Sequence, residues 1–462
     1  MGPIGAAALS LVSLPLLAWI SSPEVVAVYS MFTITLNLAV MLLTLGLDQS
    51  LVRLYYEKQF SQLFLNALLP GGAFFLLLIL LFFLFDVEFS ETILGVSGFE
   101  FLLVVGIAFS FFSRFFSLVL RMENKALEYS FSQLLPKICF LIVLYFLVFF
   151  KERVDEKTVV LTLVFGCLLV FVYQFFTLKK ILYEIKRYTF NKGLSKQVFI
   201  YGLPLFVSSC SYYLLTISDR YFIKEMLSLD DLAKYAAAIH FSNVIFILQS
   251  IFVSIWPPMV YRIYSNEKGD VTHLIARSLK IALLFMLISW AIVGVMSYPI
   301  VKLLPVNYQS ISSLIPMLVA VPILCLLTEI TGIYINLKGK TYLHTLTTIL
   351  ALALNLVLNY FLIPEFGLVG GAIATLVAFY FLFIVKTELS IMEGAVFIRL
   401  YSYGSLLVFV LVSVYLSFAG FYWFYCLAIW LFLLLFVFSV SFYIRKSLID
   451  SLVSVRRGFN AI

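Results

Sequence analysis

The chain consists of long apolar runs separated by short polar ones. The stretch Phe74–Phe85, FFLLLILLFFLF, has no polar face at either helical or strand period. A segment apolar all round belongs in a membrane or a deep core. A spanning helix needs ~20 mainly apolar residues. Fourteen candidates occur, at 4–20, 26–46, 63–85, 100–121, 128–150, 157–178, 197–218, 235–258, 274–298, 311–337, 342–363, 368–389, 399–418 and 423–444. Transmembrane barrels alternate apolar and polar positions, and these runs do not. The pattern therefore predicts an all-α polytopic membrane protein with about 14 transmembrane helices. The first segment is the shortest, carries Pro3 and Pro15, and precedes the first basic residue, Arg53. Without a basic flank it does not read as a cleaved signal peptide. It reads as a clipped first helix.

Composition agrees. Of 462 residues, 63% are hydrophobic and 12% charged, and mean hydropathy is +1.09. That excludes a soluble enzyme, a disulfide scaffold and a disordered regulator. Cys139, Cys167, Cys210, Cys325 and Cys426 sit in apolar stretches with no metal-ligand or redox spacing, and the three histidines form no pair. No metal, cofactor or catalytic residue is expected. There is no Walker motif and no GxGxxG, and the longest polar connection, 179–196, is too short for a nucleotide-binding domain.

Charge sets the orientation. With the N-terminus inside, the inner segments hold 22 of the 31 Lys and Arg, Lys386 and Arg399 among them, and the outer loops hold seven. Arg114 and Lys137 remain within spans. This bias places both termini in the cytoplasm. The net charge of +7 follows from that topology and does not imply nucleic acid.

An internal repeat is visible. Ser22–Tyr29 (SPEVVAVY) and Ser228–Tyr235 (SLDDLAKY), in the outer loops after the first and seventh spans, share S-x-[ED]-x-[VL]-A-x-Y. VRLYYEK (Val52–Lys58) pairs with YRIYSNEK (Tyr261–Lys268), and LRMENKALEY (Leu120–Tyr129) with LKGKTYLH (Leu337–His344). Three matches in register predict two parallel six-helix lobes, residues 1–178 and 197–389. A basic linker, 179–196, joins them, and helices 13 and 14 with a tail, 390–462, follow.

SPEVVAVY with LGLDQSLVRLYYE (Leu45–Glu57), SDRYFIKEMLSLDDLAKYAAA (Ser218–Ala238) and NLVLNYFLIPEFGLVGGAIAT (Asn355–Thr375) resemble bacterial polysaccharide flippases of the MOP superfamily. These are the Wzx-like O-antigen, capsule and exopolysaccharide translocases. The resemblance runs through nearly the whole chain and implies a MATE/MOP-like fold. It also implies that undecaprenyl-diphosphate-linked oligosaccharide crosses the inner membrane by alternating access, with membrane lipids and polysaccharide polymerase machinery as partners. In the related lipid II flippases the first helix carries a functional arginine, and no residue here matches it.

An anionic lipid loaded from the cytoplasm needs cations in the inner half of the spans. Ser110, Arg114, Ser117 and Arg121 fall on one helical face, and the next span carries Ser130, Gln133 and Lys137. Arg53, Arg114, Lys137 and Arg121 are candidates for the diphosphate; snorkelling to headgroups is the alternative. Polar stripes containing Asn37, Tyr212, His240 and Asn243 are candidates for sugar hydroxyls; interhelical hydrogen bonding is the alternative. Asp219 and Arg220 fall at the outer boundary and read as residues that pair structurally with a neighbouring loop. Glu329, the deepest acid by this span assignment, either carries a coupling proton or neutralises a cation. GLVGGA (Gly367–Ala372) reads as close helix packing. Trp423 and Trp430 read as interface anchors. A rival reading, a MATE-like drug/cation antiporter, needs cavity acids. A membrane-embedded polysaccharide polymerase needs a long outer loop, and a scaffold needs no polar stripes.

Overall fold

The computed structural model describes residues 2–55, 60–85, 89–150, 154–185, 190–267, 271–395, 399–418 and 424–437. In chain order the helices are α1 (Gly2–Ile20), α2 (Pro23–Thr44), α3 (Leu47–Leu54), α4 (Phe60–Phe85), α5 (Phe89–Leu94), α6 (Glu100–Met122), α7 (Ala126–Phe149) and α8 (Glu156–Ile185). They continue with α9 (Lys192–Met226), α10 (Leu229–Ser242), α11 (Val244–Glu267), α12 (Val271–Val301), a 3-10 turn (Val306–Ser313), α13 (Leu314–Leu337), α14 (Tyr342–Met392) and α15 (Arg399–Phe418). A last apolar helix, α16, covers Phe424–Val437. Among the described residues the sole β-pairing is an isolated bridge between Ser21 and Val154. Ten of the described helices are long and apolar enough to cross a membrane, α14 counted once. The protein is a multi-pass helical membrane protein.

Each apolar segment falls on helix over its described part, but the breaks are informative. The second segment was expected to run to residue 46. Instead α2 ends at Thr44, because Leu45 (φ 48°) and Gly46 (φ 73°) are both left-handed. The short α3 then restarts the helix with Asp48 in its first turn. Gly46 is needed here. A Cβ would sit 2.3 Å from the Gly202 carbonyl oxygen of α9, a backbone approach that no side chain tolerates. The eighth segment is likewise two helices, with Asn243 between α10 and α11.

Helix α14 has 51 residues, ~75 Å if straight and far longer than a bilayer core. It breaks at Gly367 (φ 57°, ψ −135°). A Cβ on Gly370 would lie 2.1 Å from the Leu362 carbonyl oxygen. Residues eight apart cannot touch along one helix, so the chain reverses and the eleventh and twelfth spans are distinct. Gly367 makes the turn, and Gly370 lets the two backbones approach.

The described helices begin and end with ordinary chemistry. The Asn191 side chain accepts from Gly193 N and Leu194 N at the start of α9, and Ser228 accepts from Asp231 N (3.1 Å) at the start of α10. Asp155 precedes α8, where the Thr158 hydroxyl and N–H hold its carboxyl below the usual carboxylate range.

The chain packs as two units. The first comprises Met1–His240 and His344–Ala374. Its interior around α3, α4 and α6 is aromatic: Phe64 meets Phe115 edge-on at 6.1 Å, and Phe111 meets Phe115 at 5.3 Å. Phe111, Phe115 and Leu118 are buried together, which fixes the rotation of α6 and leaves Arg114 and Arg121 exposed.

The second unit comprises Phe241–Leu343 and Thr375–Ile462. It is built around α13, which is buried along nearly its whole length. Trp290 of α12 donates to the Pro316 carbonyl (2.7 Å). Trp430 was expected at the membrane interface. It is instead 2% exposed and packs against Phe409 over Gly294, where a Cβ would overlap its ring. Trp423 lies outside the described residues.

Gly46→Ala is expected to destabilise the protein by at least ~1–3 kcal/mol, through left-handed strain and the clash with α9. Thermal unfolding of the purified protein, followed by tryptophan fluorescence, checks this. An unchanged Tm would mean that the α2–α3 break is not held by this contact.

Candidate functional site

The break after α2 creates a cavity in the first unit. Its volume is about 160 Å³, and it is lined by Asn37, Val40, Met41, Thr44, Gly46, Asp48, Gln49, Arg114, Phe206 and Ser209. Helices α2, α3, α6 and α9 supply these side chains. Arg114 donates to Asp48 Oδ2 from Nε (3.0 Å) and from Nη2 (2.8 Å). Gln49 donates to the Ser209 hydroxyl at 2.9 Å. Asn37 is exposed and donates to the Thr33 carbonyl. The cavity thus offers one guanidinium, one carboxylate and several neutral hydrogen-bonding groups.

The four cations predicted for a diphosphate do not share this cavity. Arg114 lines it; Arg53, Lys137 and Arg121 do not. Arg53 is exposed in the last turn of α3. Arg121 is exposed and lies over the Tyr129 ring, 5.7 Å from its centroid. Lys137 is half-buried on α7 and acts electrostatically on Cys167 and His240.

Two further cations, Lys137 and Arg220, act on His240 electrostatically. Its Nε2 lies 2.6 Å from the Ser10 carbonyl. Arg220 also acts on Tyr213 and Tyr221, and its buried Nε has no hydrogen-bond partner among the described residues. Tyr213 adjoins Asn37 and donates to the Ile34 carbonyl. Asp219 accepts from Tyr235 (2.6 Å) and from the Arg220 N–H. Asp219 therefore anchors the tyrosine that ends the SLDDLAKY motif.

Other stripe residues serve the helices. Ser110 contacts Cys167 Sγ (3.4 Å), and Ser117 accepts from Gln174 (2.9 Å), both bonds joining α6 to α8. Ser218 donates to buried Asn355 (2.5 Å), which also accepts from Asn359. Tyr212 is half-buried on α9. Asn243 is half-buried and belongs to the second unit, whereas Asn37, Tyr212 and His240 belong to the first.

Two ionisable residues were misjudged from sequence. Asp48 lies just past the expected end of the second span, yet it is 4% exposed, so the first unit buries an acid that the apolar segments do not contain. Lys386, counted above with the cytoplasmic segments, lies within α14 and is 7% exposed. It sits within electrostatic reach of Glu329, which is the exposed residue on the otherwise buried stretch of α13. The sequence signals for Asp48 were the Leu-Gly pair before it and its place at a helix start.

Comparison with known proteins now adds to this geometry. Residues 1–264 match the profile of the polysaccharide biosynthesis protein family. The chain belongs to that family. No curated protein sequence matches it. Among solved structures, the family member resembles the lipid II flippase MurJ in an inward closed conformation, at 17% identity and TM-score 0.68, over 96% of this chain and 98% of that one. It resembles an inward-facing multidrug resistance MATE family transporter of the MOP superfamily, at 14% identity and TM-score 0.62, over 85% and 95%. It also resembles the Vibrio cholerae MATE transporter VcmN in the bent form, at 16% identity and TM-score 0.51, over 85% and 95%. These likenesses establish a flippase- and transporter-like fold.

Lys386 and Glu329 generate a prediction of their own. Glu329→Gln is expected to lower thermal stability by ~1–3 kcal/mol, because it leaves Lys386 charged and uncompensated. The loss should stay below the ~3–5 kcal/mol of a fully buried pair, since Glu329 is exposed. Adding Lys386→Met should restore most of the Tm. Independent, additive effects would mean that the two charges do not compensate each other.

Proposed function

We propose that this family member translocates an undecaprenyl-diphosphate-linked oligosaccharide from the cytoplasmic to the outer face of the bacterial inner membrane. It works by alternating access, as a transporter and not as an enzyme, and supplies O-antigen, capsule or exopolysaccharide assembly. Both termini are cytoplasmic, in line with the excess of Lys and Arg in the inner segments over the outer loops. Polysaccharide polymerase machinery is the partner that consumes the product. The observation that carries this reading is the cavity that sets the Arg114 guanidinium among Asn37, Gln49 and Ser209. A guanidinium grips phosphate oxygens through its fork of donors. Neutral amides and hydroxyls suit sugar hydroxyls, which both donate and accept.

Arg121 and Arg53, both exposed, receive the anionic head group first. Lys137 and Arg220, which both act on His240, supply further positive charge for it within the first unit. The drug/cation antiporter reading would need an available carboxylate. In the cavity that carboxylate is Asp48, and Arg114 already neutralises it.

Arg114→Ala is expected to stop surface polysaccharide assembly and to weaken binding of the diphosphate lipid by about one to two orders of magnitude, the worth of a charge-assisted contact. Because this change also strips Asp48 of its cation, the amount of protein in the membrane is measured alongside. Arg114→Lys keeps the charge without the fork and should retain part of the activity. Normal polysaccharide and normal lipid binding in Arg114→Ala would remove the residue from the site.

A further inference from the structure

We propose that Asp48 is an internal counter-anion, which a phosphate-bearing ligand displaces from Arg114, so that the cavity stays neutral when empty. This rests on Arg114 being the anion-binding group, as read above. The first support is asymmetry. The Asp48 side chain is 6% exposed and that of Arg114 is 49% exposed. Both Arg114 donors converge on a single oxygen, Oδ2. A guanidinium has five N–H donors, so three are left for a ligand entering the cavity.

The second support is that the anion is fixed while the cation can turn. Asp48 is the second residue of α3, whose start is held by left-handed Leu45 and Gly46 and by the close approach of Gly46 to Gly202. A carboxylate in a first turn keeps the favourable field of the helix N-terminus when its partner leaves. Arg114 sits at the end of a long flexible stem that opens on the cavity. The third support is the rest of the lining. The other polar residues, Asn37, Thr44, Gln49 and Ser209, are neutral, so Asp48 is the one negative charge that competes for Arg114 there.

The consequence is a trade of affinity for release. In the empty cavity the two charges cancel, and the protein can return without an unpaired arginine in an apolar region. In the loaded cavity the phosphate takes Arg114, and Asp48 then repels the ligand it has admitted. Asp48 is thus a positioning residue for Arg114 and not a ligand of the substrate.

The test uses the purified full-length protein in lipid nanodiscs, with inorganic pyrophosphate as the probe. Asp48→Asn removes the competing charge and should tighten pyrophosphate binding by about tenfold or more, while slowing polysaccharide export in cells. Asp48→Glu should bind close to wild type. Arg114→Ala should weaken binding by about one to two orders of magnitude, with or without Asp48→Asn. Asp48→Ser, which also suits a helix start, carries the same expectation should Asp48→Asn not accumulate. Unchanged or weaker binding in the neutral variants, with Arg114→Ala still weakening it, would overturn this proposal and leave the Arg114 reading intact. Equal binding by wild type and Arg114→Ala would overturn the Arg114 reading itself.

Discussion

A charge among hydrocarbon must find a counter-charge or cost several kcal/mol, and the first unit is arranged around one such pair. Asp48 and Arg114 can meet because α2 stops short of Asp48. Two consecutive left-handed residues, Leu45 and Gly46, turn the backbone and let α3 begin against α9. The aromatic packing of Phe64, Phe111 and Phe115 then fixes α6 so that Arg114 faces the opening. Backbone break, aromatic core and ion pair form one causal sequence, and the cavity is its product.

The second unit solves the same problem differently. Lys386 is buried in α14, and Glu329 answers it from α13 while itself remaining exposed. The sequence reading left two roles open for Glu329, a coupling proton or the neutralisation of a cation. The position of Lys386 gives the second role a physical partner. The two pairings are opposite in arrangement, a buried acid bonded to an exposed arginine in the first unit and a buried lysine within electrostatic reach of an exposed glutamate in the second.

Helix positions were legible because length and hydropathy are the conditions for spanning a bilayer, and those conditions are local. What escaped was whatever depends on backbone reversal or tertiary approach. The break before Asp48 needs both the left-handed Leu45 and the contact of Gly46 with Gly202, which no apolar window reports. GLVGGA reads as close packing, and Gly370 does lie against the Leu362 backbone; what the motif does not announce is the turn at Gly367 between the eleventh and twelfth spans. Trp430 looked like an interface anchor because it lies near a span end, but Gly294 leaves room for its ring in the interior. Arg114 was identifiable as a charge inside a span. Its partner was not, because Asp48 sits two residues beyond the apolar segment. Ser110 and Ser117 share the Arg114 face by spacing, yet both bond to α8, since one helix face can meet different neighbours along its length.

The central claim is that the phosphate of the lipid carrier is what the site recognises. Transbilayer movement in proteoliposomes tests it most directly, with polyprenyl-linked oligosaccharide supplied either with its diphosphate or with an uncharged linkage. The account predicts that the diphosphate form crosses far faster than in protein-free liposomes and that the uncharged form does not. Equal movement of the two forms, or movement of neither, would contradict it.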